Sequence, residues 1–180
     1  NVEQWNGGSW TEIADVNTAR AGLKAVGDVS NAVAFGGSPG NKSETEIWNG
    51  SGWTEVADLN SGRPNGGEAG SSYTSALFFG GPAPGPLGAL NESWNGSAWT
   101  EVGDMNTAIR NNRGGGAYNS AISAGGNTGT YASDTETWNG TAWTDVTGLS
   151  TARQNGIMRA ASSGSGIYFG GATATMQSGT

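Results

Sequence analysis

The chain has 180 residues, enough for one domain with a core of its own, and a net charge of -7. It contains no Cys and no His, which excludes disulfides, thiol chemistry and the commonest general base and transition-metal ligand. The acidic balance disfavours nucleic acid or an anionic membrane surface as partner, and no apolar run approaches the ~20 residues of a membrane span.

A phrase then recurs along the chain: Trp-Asn-Gly, two small residues, Trp-Thr and an acidic residue. Its first tryptophans are Trp5, Trp48, Trp94 and Trp138, and its second are Trp10, Trp53, Trp99 and Trp143. Glycine pairs keep the same beat at Gly36-Gly37, Gly80-Gly81, Gly125-Gly126 and Gly170-Gly171. A period in the mid-forties built of short strands and turns predicts β-propeller blades. With 33 glycines the composition alone would suggest disorder. Eight regularly spaced tryptophans argue for burial and blade-to-blade packing instead.

Taken in chain order, each repeat predicts four strands. An irregular inner strand comes first, Arg20 to Gly27 or Arg153 to Ala161. Short apolar strands then run into the glycine pairs at Val33 to Phe35, Ala76 to Phe79, Ala121 to Ala124 and Gly166 to Phe169. Strands of the type Glu44 to Trp48 and Trp53 to Ala57 follow, joined by Asn-Gly turns in which both residues tolerate positive φ. The repeats span about residues 1–44, 45–91, 92–135 and 136–180. The chain opens on the tryptophan hairpin and stops after a glycine-pair strand. The intervals from glycine pair to next Trp are 11, 13 and 12 residues, and joining the chain ends would give 14. The expectation is an all-β, four-bladed propeller whose last blade is closed by the N-terminal hairpin, which removes an open sheet edge. Beginning at Asn1, the chain reads as a processed or excised product.

The stretch Glu46-Ile-Trp-Asn-Gly-Ser-Gly-Trp-Thr-Glu-Val-Ala-Asp58-Leu-Asn-Ser-Gly-Arg63 resembles the kelch repeat. It is most similar to kelch-like repeats of bacteriophage virion proteins, notably tail-associated ones, and related environmental sequences. Kelch propellers usually have six or seven blades, so four is a departure. A small ring, a ring shared by two chains and an excised piece all fit. The resemblance implies a virion or extracellular setting, with host-surface attachment and other virion or surface proteins or host-surface glycans as partners.

The carboxylates largely follow the repeat: Glu3, Glu46, Glu92 and Glu136 before the first Trp, Glu12, Glu55, Glu101 and Asp145 after the second, and Asp15, Asp58 and Asp104 in the next turn. Near-symmetric placement reads as a structural device. A glycosidase needs two carboxylates in unlike environments, so a hydrolase is the weakest reading and no catalytic residue is assigned. The segment Asp15 to Arg20 recurs at Asp58 to Arg63 and, with one extra residue, at Asp104 to Arg110. It reads as an Asx-type turn whose Arg pairs with a repeat carboxylate or lines the channel. Two or three oxygens fall short of a Ca²⁺ shell, and no metal or other cofactor is expected. Sequons at Asn41, Asn49, Asn91, Asn95 and Asn139 read first as turn chemistry.

Specificity is expected where repeats differ. Divergent loops follow the glycine pairs at Ser38 to Ser43, Pro82 to Asn91, Asn127 to Asp134 and Ala172 to Thr180, and Tyr131 is the loop aromatic. Lys24, Glu68, Arg113 and Arg159 lie at matching depths on the inner strands and are candidates for the channel lining. The functional expectations are a non-enzymatic structural or interaction module, a carbohydrate-binding module, or a homo-oligomer formed by strand exchange.

Overall fold

A computed structural model describes residues 1–174. The fold is all-β, with antiparallel sheets and a single 3-10 turn at Pro86–Gly88 among the described residues. Three four-stranded sheets follow one another along the chain. The first comprises β3 (Lys24–Gly27), β4 (Ala32–Phe35), β5 (Thr45–Trp48) and β6 (Trp53–Glu55). The second comprises β7 (Gly67–Ser72), β8 (Ser75–Phe79), β9 (Asn91–Trp94) and β10 (Trp99–Glu101). The third comprises β11 (Arg113–Ala117), β12 (Ser120–Asn127), β13 (Tyr131–Trp138) and β14 (Trp143–Val146). Within each sheet the strands stand in sequence order, as an up-and-down meander.

The chain ends carry half-sheets. β1 (Val2–Trp5) pairs only with β2 (Trp10–Ile13), and β16 (Ile157–Ser162) only with β17 (Ser165–Phe169), among the described residues. A two-residue ladder joins β15 (Arg153–Gln154) to β18 (Ala172–Thr173). The predicted inner strand Arg153 to Ala161 is thus divided between β15 and β16, and Arg20 to Gly27 shortens to β3, because both segments first turn through a left-handed residue. No strand pairing joins β17 to β1 among the described residues.

The repeat tryptophans explain the packing. In each four-stranded sheet the two tryptophans face each other across the outer pair of strands, as Trp48↔Trp53, Trp94↔Trp99 and Trp138↔Trp143. Trp99 also meets Phe35 of the preceding sheet edge-on at 4.8 Å, and Trp143 meets Phe79 in the same way. The cores therefore lie between sheets. Val26, Val33, Phe35, Leu59, Phe78, Trp94 and Trp99 fill the first, and Leu77, Phe79, Met105, Ile109, Trp138 and Trp143 fill the second. Trp5 and Trp10, although identical in motif, are 49% and 64% exposed. The expected burial fails there because β1–β2 stands as a two-stranded sheet with no further strand paired to it among the described residues.

The high glycine content follows from close approach of the inner strands. A Cβ on Gly114 would overlap both the Glu68 carbonyl oxygen and the Phe79 ring. The first glycine of three of the pairs, Gly36, Gly80 and Gly125, likewise presses its backbone onto the next repeat: a Cβ on Gly36 would meet the Arg63 carbonyl oxygen at 2.6 Å. Both residues of that pair have positive φ, 66° and 124°, which side-chain-bearing residues rarely adopt.

The Asn-Gly turns put only their glycine, and not their asparagine, at positive φ. Trp48 and Trp53 pair across a four-residue loop in which Gly50 has positive φ and Asn49 does not. Asn49 instead accepts backbone N–H bonds from Ser51 and Gly52 on Oδ1, each at 3.0 Å. Asn6, Asn95 and Asn139 repeat the arrangement. Asn is selected here as a side-chain acceptor that closes the loop.

Candidate functional site

Two constellations rise from this frame. The first is a set of glutamate clamps that fasten each repeat to the next. Glu46 on β5 accepts the backbone N–H groups of Asn17 (2.6 Å) and Thr18 (3.3 Å) and the guanidinium of Arg20 (2.5 Å). Glu92 on β9 accepts the N–H groups of Asn60 and Ser61 and is paired with Arg63. Glu136 on β13 accepts the N–H groups of Asn106 (2.8 Å) and Thr107 (3.0 Å). These three carboxylates thus fasten backbone N–H groups of the adjoining arm, and Arg20 and Arg63 pair with Glu46 and Glu92. Asp15, Asp58 and Asp104 each accept a backbone N–H at the start of a strand, from Val2 of β1, Thr45 of β5 and Asn91 of β9. Among the described residues no group of Asp and Glu side chains gathers closely enough to hold a metal ion.

The third clamp lacks its cation. The extra residue in Asp104 to Arg110 places buried Ile109 where Arg20 and Arg63 stand, and Arg110 turns out to Asn127 Oδ1 instead. Burial without an arginine pushes the Glu136 carboxyl above its ordinary value, against the two backbone N–H bonds and with the charge of Asp145 adding to the rise. An acid whose folded value is raised contributes stability that is fully present below its unfolded value and lost as pH rises through the folded one. Urea unfolding of wild type and Glu136→Gln across the acid-to-neutral range should show the wild type losing ground relative to the variant as pH rises through that window. A constant offset at every pH would contradict the raised carboxyl.

The second constellation lies on the inner strands. Lys24 of β3, Glu68 of β7, Arg113 of β11 and Arg159 of β16 line a single cavity of about 340 Å³ with Asn155 and Gly156. An adjoining cavity of similar size is lined by all four inner strands, including Ala25, Gly70, Gly115 and Ala160. These four are the residues named from the sequence as candidates for the channel lining. Lys24 Nζ lies 3.1 Å from Glu68 Oε2. Burial lowers the Lys24 ammonium below its ordinary value, and nearby Arg113 lowers it further, while Glu68 opposes both. Arg113 donates from Nε to the Gly156 carbonyl at 2.7 Å and from Nη1 to the Asn112 carbonyl. Arg159 donates from Nη1 to the Met158 carbonyl. Three cations against one carboxylate make this a locally positive spot in an acidic chain.

Tyr131 belongs elsewhere. β12 and β13 extend past the third glycine pair, so Tyr131 is a strand residue opposite Asn127, half-buried, and not part of this cavity. The loop assignment fails because Asn127 closes a tight turn by accepting the Gly129 N–H. Most of the last divergent loop, Ala172 to Thr180, lies outside the described residues, which end at Ala174, just after β18.

One feature escapes sequence reading. Asn65, Asn111 and Asn155 have left-handed backbones, with φ of 64°, 56° and 58°, as does Gly22 at 64°. They form a ladder across repeats, Asn111 N–H donating to the Asn65 carbonyl at 2.8 Å and Asn155 N–H to the Asn111 carbonyl at 3.3 Å. The signal is present in the sequence, since Gly and Asn are the residues that tolerate this conformation and they recur just after the clamp position.

Among the described residues no helix is long and apolar enough to cross a membrane. No family model matches the chain, and no curated protein matches it either.

Proposed function

We propose that the chain is a non-enzymatic β-propeller module acting through its surfaces, with four kelch-like blades, the fourth made of β16–β17 and a β1–β2 hairpin. The observation that carries this reading is the pair of half-sheets. β17 of one and β1 of the other each leave an edge unpaired among the described residues. Open edges are aggregation-prone, and completing the blade removes both. The Trp-Asn-Gly repeats, through their likeness to phage kelch-like proteins, support a virion or extracellular setting and a role in surface attachment. Removing residues 1–16 tests the reading. The truncated chain should aggregate or lose its higher-mass species in light scattering, whereas an unchanged mass and melting curve would overturn it.

The positively charged inner cavity supports a second reading, carbohydrate binding. Lys24, Arg113 and Arg159 suit a carboxylated or sulfated sugar. Saturable binding of acidic but not neutral oligosaccharides, lost in Arg113→Ala, is the expected result. Equal binding by that variant would remove the cavity from consideration.

A further inference from the structure

We infer that the unfilled fourth clamp is an intermolecular latch: the arm around Arg153 takes Glu3 from the hairpin of a second copy of the chain. This rests on the fourth-blade reading above and adds its partner and its contacts.

The repeat supplies the register. Leu149, Ser150, Thr151 and Arg153 stand where Leu59, Asn60, Ser61 and Arg63 stand in the second clamp. Among the described residues no carboxylate occupies this arm. Arg153 donates to the carbonyls of Thr151 and Gly170, both at 3.3 Å. Glu3 occupies the position of Glu46, Glu92 and Glu136, yet it is exposed and has no arm. An arm without an acid and an acid without an arm therefore sit on the two unpaired half-sheets of one chain.

The apolar parts match as well. Gly36, Gly80 and Gly125 each press on a backbone carbonyl of the next repeat, those of Arg63, Ile109 and Arg153, but a Cβ on Gly170 would find nothing within 4 Å among the described residues. Phe169, equivalent to Phe35 and Phe79, is 46% exposed instead of lying under a tryptophan. At the other end a cavity of about 420 Å³ is lined by Val2, Arg20, Leu23, Ala34 and Trp53. Trp10 of the hairpin, 64% exposed, stands in the motif where Trp99 and Trp143 stand, and these are the rings that cover Phe35 and Phe79. Each of those rings lies on the sheet after the one that carries its Phe, so by that pattern Trp53 of one copy, which lines this cavity, covers Phe169 of the next, and Trp10 packs over the third sheet.

The occupant is a second copy because both half-sheets are already fixed within their own chain. The hairpin is held by Asn17 and Thr18 on Glu46 and by the Trp53 Nε1–H bond to the Ala14 carbonyl at 3.0 Å. The β16–β17 pair is held by Arg113 on the Gly156 carbonyl and by the Ser120–Ser163 hydroxyl contact at 2.9 Å. With these contacts in place, β17 and β1 of one chain do not pair among the described residues. Docking a second copy head to tail leaves every one of them in place. Such a contact is heterologous, so it closes a ring or propagates a filament.

The test is charge exchange in the full chain, with Glu3→Arg and Arg153→Glu made singly, together in one chain, and singly but mixed. Both residues lie outside the packed cores, and circular dichroism checks that each variant folds. Sedimentation should give the wild type at least twice the 18.1 kDa chain mass. Either single exchange should weaken association by about a hundredfold or more, because like charges meet in the clamp. The equimolar mixture should recover the wild-type mass, since the arginine introduced into one variant then meets the glutamate introduced into the other. A wild type that stays at single-chain mass, or rescue only when both changes share a chain, would overturn the second copy while leaving fourth-blade completion intact. If neither single exchange alters mass but removal of residues 1–16 does, the latch residues are wrong. If that removal also has no effect, the underlying fourth-blade reading fails instead.

Discussion

Arg63→Ala is expected to cost about 3–5 kcal/mol of folding free energy, because it leaves a buried carboxylate without its cation. The Arg63 side chain is fully buried and that of Glu92 nearly so. Its guanidinium makes four hydrogen bonds: Nε donates to the Gly80 carbonyl at 2.9 Å, Nη2 to the Phe78 carbonyl at 2.8 Å, and Nη1 to both the Ser61 carbonyl and Glu92. It also stands 4.4 Å from the centre of the Phe78 ring. One side chain thus ties the arm between the first and second sheets to β8 and β9. Arg63→Lys should recover little, since an ammonium cannot reproduce this planar fork of donors. Removing both charges in Arg63→Met/Glu92→Leu should cost clearly less than Arg63→Ala, as apolar replacements of buried pairs often do. Urea denaturation of the four chains checks the order. If Arg63→Ala unfolds at the wild-type midpoint, the clamp contributes nothing to holding the sheets together.

The third clamp makes the same comparison within the molecule. Ile109 buries itself against Phe79 and Trp143, which compensates in packing for the lost cation, and Glu136 carries the cost as a raised carboxyl. This substitution is not readable from the aligned motif. Arg110 looks like the clamp arginine in sequence, and only the backbone path shows that the extra residue rotates it outward. Much else is legible for a plain reason: residues that recur in every repeat are constrained by the repeat. The glycine pairs, the glutamate before each first Trp and the strand positions all follow. What one chain cannot disclose is the partner of each recurring group. Glu46 binds an arm that precedes it by 26 to 29 residues, a distance with no pattern of its own. The inner charged residues stand out because they interrupt the repeat. Their grouping then follows from the equivalent placement of β3, β7, β11 and β16 around one space. Tyr131 is misplaced by the same logic, because divergence after a glycine pair reads as a loop even where the strands run on.

The tryptophans give the sharpest contrast, because identical motifs have opposite surroundings. Trp99→Ala should cost about 3–5 kcal/mol, the usual range for a buried aromatic. Trp99 is 6% exposed, packs on Phe35 and Trp94, and donates its indole N–H to Thr45 Oγ1 at 2.9 Å. Its removal opens the core between the first two sheets and leaves that hydroxyl without its donor. Trp10 holds the same place in the motif but touches mainly Trp5, at 5.6 Å between ring centres. In the dilute single chain, Trp10→Ala should shift stability by less than about 0.5 kcal/mol, as at ordinary surface positions. At concentrations where copies associate, it should weaken assembly, because a completed fourth blade buries this ring as the other blades bury Trp99 and Trp143. Urea unfolding of both variants, read at low and high protein concentration, separates the two roles. A large loss for Trp10→Ala at every concentration would mean that its ring is already buried in the single chain, and that the fourth blade is complete without a second copy.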